Sequence, residues 1–270
     1  MPALYVVATP IGNLEDMTLR AIRILKEVKL IAAEDTRQTR KLLSFYSIKT
    51  PTTSYFEHNK LTKLDYILNR LKNADVALVS DAGMPGISDP GYELISAVNK
   101  HNIRIIPIPG PSVILTALVV SGLPTDSVLF LGFLPHRGSE RRRVLKSKAA
   151  EKSTLVFFES PHRIPASLHD MLDTLGDRKV AVCRELTKLH EEIFRGSLSQ
   201  AISHFSHPRG EFTLVVAGNQ METKPELSEE IEKRLLHMRE SGKTAKQAVA
   251  LLAEETGISK KELYGAWIKN

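Results

Sequence analysis

Val76-Ala77-Leu78-Val79-Ser80-Asp81-Ala82-Gly83-Met84-Pro85-Gly86-Ile87-Ser88-Asp89-Pro90-Gly91 decides how this chain reads. The first four residues form a short apolar run bounded by turn residues, the pattern of a buried strand. The twelve that follow are half Gly, Pro or Ala and carry two carboxylates. Small residues let a ligand approach the backbone closely, and the prolines hold the loop rigid. In open α/β sheets ligands bind outside the carboxyl ends of strands, where such a loop lies.

Two similar loops lie on either side in sequence. Leu4-Tyr5-Val6-Val7-Ala8 runs into Thr9-Pro10-Ile11-Gly12-Asn13-Leu14, and Arg104-Ile105-Ile106-Pro107-Ile108 runs into Pro109-Gly110-Pro111-Ser112, which opens a helix. Between them, Leu19, Ile22, Ile24 and Leu25 recur at helical spacing, Leu30–Ala33 leads into Glu34-Asp35-Thr36-Arg37, and a helical stretch covers Leu61–Leu71. Strands alternating with helices predict a mostly parallel α/β sheet over residues 1–122. Three small-residue loops at three strand ends are expected to converge on one cleft. None of them has the Rossmann glycine pattern or the lysine of a P-loop, so a neutral or cationic ligand suits the Asp81 loop better than a pyrophosphate.

Gly122-Leu123-Pro124 marks a boundary. From residue 123 to 222 the expected strands Val128–Phe133, Thr154–Phe158, Val180–Cys183, Glu192–Phe194 and Phe212–Ala217 lie closer together, which predicts a second, mixed α/β domain. Residues 223–270 change to helical patterning, with Ile231, Leu235 and Met238, then Ala245, Ala248, Val249 and Leu252, then Leu263 and Trp267. Two helices flank Glu255-Thr256-Gly257-Ile258-Ser259 in the manner of a helix-turn-helix, and Ser259 stands as N-cap three residues before Glu262.

Composition narrows the classes. The chain has 270 residues with a net charge of +6, which favours a polyanionic partner only weakly. Its single cysteine, Cys183, cannot form an internal disulfide and sits in an apolar run, so core filler in a reducing compartment is the expectation. The amino terminus shows no signal-peptide pattern and no apolar run approaches a membrane span, which points to the cytoplasm and no membrane. His162, His169 and His190 are scattered without metal-ligand spacing, so no metal is expected. The charge is more informative where it clusters. Between His136 and Lys148 stand Arg137, Arg141, Arg142, Arg143, Lys146 and Lys148 against Glu140 alone. Arginines pair phosphates bidentately and stack on unpaired bases, so this run is the RNA-contact candidate, with a solvated helix face as the plainer alternative. Residues from 225 on hold eight basic and eight acidic side chains, which suggests packing or RNA docking more than groove reading.

Five segments in order resemble one family. Ser80–Gly91 together with Ala8–Leu14, Ala33–Arg37, Glu159-Ser160-Pro161-His162-Arg163 and Arg184-Glu185-Leu186-Thr187-Lys188 resemble the tetrapyrrole (corrin/porphyrin) methylase superfamily, specifically its ribosomal branch, the bacterial small-subunit rRNA cytidine 2′-O-methyltransferases. The resemblance implies an α/β fold of two domains with a cofactor cleft between them plus a small helical domain, S-adenosylmethionine as methyl donor, and a homodimer acting on 16S rRNA or the small ribosomal subunit. It implies that Pro10, Ile11, Asp81, Gly83, Met84, Ser112 and Val113 of the first domain, and Phe158, Leu186 and Thr213 of the second, bind the cofactor. The first loop, Pro10-Ile11-Gly12-Asn13, departs from the Gly-x-Gly-Pro-Gly-Asp of corrin-modifying members. A ribose 2′-hydroxyl is a weak nucleophile, so a base or a stabilising cation is expected beside it. Candidates are Glu159 with Arg163 and Glu185 with Lys188, then Asp35 with Arg37; a structural ion pair is the alternative for each. Two other functions stay open: a methylase of tetrapyrroles or other small molecules, and a catalytically silent RNA-binding assembly factor.

Overall fold

A computed structural model describes residues 1–56, 60–220 and 227–269, without the side chains of 60–62. The chain divides into two compact units, Met1–Asn219 and Gln220–Asn270. The boundary expected at 222–223 lies outside the described residues.

The first unit contains two five-stranded sheets. In the first, β1 (Ala3–Val7), β2 (Leu30–Ala33), β3 (Thr52–Ser54), β4 (Val76–Val79) and β5 (Arg104–Ile108) take the order β3-β2-β4-β1-β5 and pair in parallel throughout. Parallel strands need crossovers, and these are α1 (Leu19–Glu27), α2 (Thr36–Phe45), α3 (Lys60–Leu71) and α4 (Tyr92–Lys100). Strand β4 is buried along its whole length, as its apolar run requires of a central strand covered on both faces. One apolar cluster fills each face, Ile24, Leu25, Ala77 and Val79 in one and Leu4, Leu78, Leu94 and Val98 in the other.

The second sheet has the order β6-β7-β10-β8-β9, built from β6 (Val128–Phe133), β7 (Thr154–Glu159), β8 (Lys179–Arg184), β9 (Glu192–Ser197) and β10 (Phe212–Val216). Only β6 and β7 are parallel; the other neighbours are antiparallel. The β6–β7 crossover is helix α6 (Gly138–Ser147), which carries the basic run. Helices α7 (Ile164–Leu175) and α8 (Leu198–His204) follow, and together with α6 they bury Leu145, Leu168, Met171 and Leu198 against one face of this sheet.

Helix α5 (Val113–Ser121) joins the two halves. Its sequence, VILTALVVS, is apolar nearly all round, the pattern of a helix with more than one buried side. It leaves β5 of the first sheet and packs Ala117 and Leu118 with Val156, Ala181, Cys183 and Val215 of the second. Cys183 is buried there, as its apolar surroundings predict.

The second unit holds α9 (Glu229–Glu240), α10 (Ala245–Thr256) and α11 (Lys260–Lys269) around Leu235, Val249, Leu252, Ile258 and Leu263. Gly257 ends α10 in the left-handed region at φ +72°, where glycine costs least. The Ser259 hydroxyl then accepts from the Glu262 amide, the cap expected from the sequence. Among the described residues no helix is long and apolar enough to cross a membrane.

Candidate functional site

The three small-residue loops meet. Because β4, β1 and β5 are neighbours, their carboxyl ends lie side by side, and the backbones of the first two loops bond directly. The Thr9 amide donates to the Gly83 carbonyl at 2.9 Å, and the Gly83 amide returns the bond to Thr9 at 3.0 Å. Gly83 holds φ +73°, a conformation a side chain would strain. The third loop closes from the other side. A Cβ on Gly110 would stand 3.0 Å from that of Ala8, tighter than ordinary contact, so glycine eases the approach.

The second sheet reaches this corner through the turn after β8. The Asn13 amide donates to the Thr187 hydroxyl at 3.1 Å, and a Cβ on Gly12 would lie 2.5 Å from Lys188 Cγ. Glu185 and Thr187 both have positive φ, 50° and 67°, a sparsely populated region for residues with side chains.

Between the loops and the second sheet lies a cavity of about 330 Å³, lined by Ile11, Ala82, Gly83, Met84, Ile87, Ser88, Asp89, Ser112, Val113, Ile114, Phe133, Phe158, Glu159, Ser160, Pro161, Glu211, Phe212 and Thr213. A broader hollow bordered by Met1, Leu68, His101 and Arg104 lies at the amino ends of β1 and β5, the end where open α/β sheets do not place their ligands. The cavity brings together Ile11, Gly83, Met84, Ser112, Val113, Phe158 and Thr213 of the expected cofactor residues. Three others are not in its wall. Pro10 is buried within the first loop. Leu186 packs in the core beside Ile11 and Cys183. Asp81 accepts from the Asp35 amide at 3.0 Å and braces the β4 loop against the end of β2. Its carboxyl is raised by burial, which outweighs the Asp35 amide.

The candidate catalytic pairs are engaged elsewhere. The Glu159 side chain has no exposed surface; it accepts from its neighbouring Ser160 amide and from the Ser167 hydroxyl, and faces Arg163 Nε at 3.2 Å. Arg163 also donates to the carbonyls of Leu134 and Pro135. Both residues therefore anchor β7 to the chain after β6, with Glu159 contributing to the cavity wall while its carboxylate is engaged by Ser160, Ser167 and Arg163. Glu185 holds Lys188 at 2.9 Å and accepts from the Glu211 amide, while Lys188 bonds Glu211 at 2.8 Å. Burial pushes the Glu185 carboxyl up, but the Lys188 ammonium and the Glu211 amide outweigh it and leave it below its ordinary value. This triad touches the cavity only through Glu211. Asp35 and Arg37 pair with each other at 2.7 Å. Hydrogen bonding from Arg37 lowers the Asp35 carboxyl to about 2.

The basic run is split by its helix. Arg141 lies on the buried side with Leu145, four residues on. Its guanidinium is 7% exposed and bonds Asp170 of α7, itself 9% exposed, at 2.6 Å. A group held this way has no face for a phosphate, so its assignment to RNA is corrected to an interhelical clamp. Arg142, half exposed, reaches the same carboxylate at 3.1 Å. Arg137, Arg143 and Lys146 are exposed and Lys148 half-buried.

Sequence reasoning did not single out Asp89 or Phe133. Asp89 lines the cavity half-buried, and burial together with the charge of Glu34 pushes its carboxyl up to about 7. Phe133 packs edge-on against Phe158, with ring centroids 5.5 Å apart.

A two-sheet α/β architecture with a small-molecule cleft walled by both sheets at the strand carboxyl ends defines a class of two-lobed α/β enzymes. The tetrapyrrole (corrin/porphyrin) methylase family matches residues 3–202, and the chain belongs to it. Relatives called ribosomal RNA small subunit methyltransferase I are 48% identical in Halalkalibacterium halodurans, covering 98% of this chain and 94% of the relative, and 51% identical in Thermotoga maritima, covering 82% and 100%. Among solved structures, a diphthine synthase shares the fold at a TM-score of 0.63 and 14% identity over 80% of this chain and 90% of that one.

The methyl donor of this family is S-adenosylmethionine, and the cavity fits it. None of the lining residues is Lys, Arg or His, so nothing in the wall repels a sulfonium, and Ile11, Val113, Ile114, Phe133 and Phe158 give it an apolar surface. The volume is within the usual range for small-ligand sites.

Proposed function

We propose that this chain transfers a methyl group from S-adenosylmethionine to the 2′-oxygen of a cytidine ribose in 16S rRNA, in the decoding region of the small subunit. The reading rests on one observation: similarity over 98% of the chain, at 48% identity, to relatives called ribosomal RNA small subunit methyltransferase I. The exposed charges at α6 support it, because Arg143 and Lys146 stand three residues apart on the helix and, with Arg137 before it, are open to a phosphate backbone. We further take residues 1–122 and 123–222 as the two methylase domains, 223–270 as a helical domain, the homodimer as the working state and the cytoplasm as its site.

The bound cofactor supplies an activated methyl on a sulfonium, an excellent leaving group. What remains for the protein is to receive the hydroxyl proton and to align the hydroxyl for in-line displacement, and alignment alone is worth several orders of magnitude in rate when the geometry is held. Gly83, the Ser112–Val113 turn and Phe158 serve to orient the donor, and the apolar wall of Ile11, Ile114 and Phe133 excludes water. Glu159 with Arg163 holds β7 to the chain after β6, and Glu185 with Lys188 shapes the turn that meets the first loop.

The test is methyl transfer from labelled S-adenosylmethionine to small subunits purified from cells lacking this protein, with ribose methylation mapped on the rRNA. A single new 2′-O-methylcytidine in the decoding region is the expected result. Label appearing instead on a tetrapyrrole, or on neither substrate despite cofactor binding, would replace the reading with one of the two alternatives.

A further inference from the structure

The function proposed above needs a proton acceptor for the ribose hydroxyl, and the pairs that sequence patterning offered for this role are spent. Three acidic side chains line the cavity. Glu159 is sequestered by Ser160, Ser167 and Arg163, and Glu211 is held by Lys188. Asp89 alone has no cation within ion-pair distance among the described residues.

We infer that Asp89 is the general base that takes the proton from the attacking 2′-hydroxyl. The inference rests on that functional reading and on three features of the cavity. Asp89 is in its wall, on the loop that also supplies Gly83 and Met84. Its position is fixed from both sides. Ser88 before it holds φ +63°, Gly91 after it holds φ +147°, and a Cβ on Gly91 would come within 3.1 Å of the Gly86 amide nitrogen. Across the cleft the loop meets β6 where that strand breaks register. Gly132, at φ +62°, has room for a Cβ only 3.3 Å from the Ser88 hydroxyl oxygen. Asp89 therefore faces the gap between the two sheets.

The charges around it suit the task. Glu34 at the end of β2 and Asp81 after β4 both repel a negative charge on Asp89, and Ser80 bonds to it. Arg37 of α2 is taken by Asp35. On the second-sheet side the ionisable wall groups are Glu159 and Glu211, both paired. A base surrounded this way is poised near neutral pH, where an acceptor must be unprotonated yet still basic. In the step, the ribose O–H bond breaks toward the Asp89 carboxylate as the oxygen–methyl bond forms. The sulfur–methyl bond breaks at the same time, and its electron pair stays on sulfur as the neutral thioether.

The experiment compares wild type with Asp89→Asn and Asp89→Glu in methyl transfer to small subunits, with cofactor affinity measured by calorimetry. The expected result is a rate for Asp89→Asn lower by ~10²–10⁴-fold, a cofactor Kd close to wild type, and partial rescue by Asp89→Glu. At limiting cofactor, where the profile reports the free enzyme, the wild-type rate should climb as pH passes through about 7, and the Asp89→Asn rate should be flat there. A wild-type protein that binds cofactor and methylates no RNA overturns the functional reading and the inference with it. If wild type is active, two results overturn the inference alone: an Asp89→Asn rate within a few-fold of wild type, or a rate loss matched by an equal loss of cofactor affinity. Calorimetric binding by the mutant also shows that it is folded.

Discussion

Replacing Asp170 with alanine would leave the Arg141 guanidinium charged and buried without its partner. The pair bridges α6 and α7 at 2.6 Å with both side chains under a tenth exposed, so little water can take the place of the lost carboxylate. Breaking a buried pair by removing one partner typically costs ~3–5 kcal/mol. The second bond, from Arg142, is half exposed and adds under about 1 kcal/mol. For a unit of this size each kcal/mol moves the melting temperature by roughly 2–4 °C, so Asp170→Ala should melt on the order of 10 °C lower. Arg141→Met/Asp170→Leu, which removes both charges and keeps the volume, should recover most of that loss. Thermal melts and denaturant titrations measure the stabilities, and a salt titration of binding to small subunits measures the RNA contribution. The double variant should bind RNA with the wild-type salt slope. If Asp170→Ala melts with wild type, or the well-folded double variant loses a phosphate contact, Arg141 is not the clamp described here.

Three other outcomes are expected. Glutamine at Arg143, Lys146 and Lys148 should flatten the salt dependence of RNA binding by roughly 2 log units per log unit of salt, since each single-strand phosphate contact contributes about 0.7; an unchanged slope would move the RNA surface elsewhere. Gly12→Ala should push Lys188 and the 185–188 turn away from the first loop, costing about 1–3 kcal/mol by overpacking, and unfolding curves will show whether it does. Asp89, raised to about 7 in the fold from 3.8, keeps a proton there that the unfolded chain has already released. Stability should therefore fall as pH rises between those values, by about 1–2 kcal/mol once solvent screening of this half-exposed group is counted. Asp89→Asn should remove that slope, and stability measured at several pH values is the check.

Strands β2, β4, β5 and β6 begin and end at the residues the sequence reading assigned, because each is an apolar run closed by turn residues. Strand β3 was not legible. Thr52-Thr53-Ser54 has no apolar residue and is an edge strand, half-buried, held by its pairing to β2 rather than by a core-facing pattern. The convergence of the three loops could be read from small residues following apolar runs. What side chains do within the site could not, because it depends on distant partners. Glu159 looks like a free acid until Ser167 and Arg163 close on it. Arg141 looks like its neighbours until Asp170, 29 residues away, claims it; the one local signal was its helical phase with Leu145. Asp89 was visible as part of a motif, but its proton affinity comes from burial and from Glu34, 55 positions earlier in the chain.

The strand order of the second sheet also constrains how the protein is made. Strand β10, residues 212–216, inserts between β7 and β8, so the last strand synthesised is the central one. Until it emerges from the ribosome, β7 and β8 each have an open edge and Leu214 is missing from the core they share. Vectorial synthesis can complete the first sheet by residue 108, but the second must wait about a hundred residues more, exposing strand edges prone to mispairing. Nascent chains stalled before residue 212 should therefore be protease-sensitive across β7 and β8 while the first sheet is already resistant.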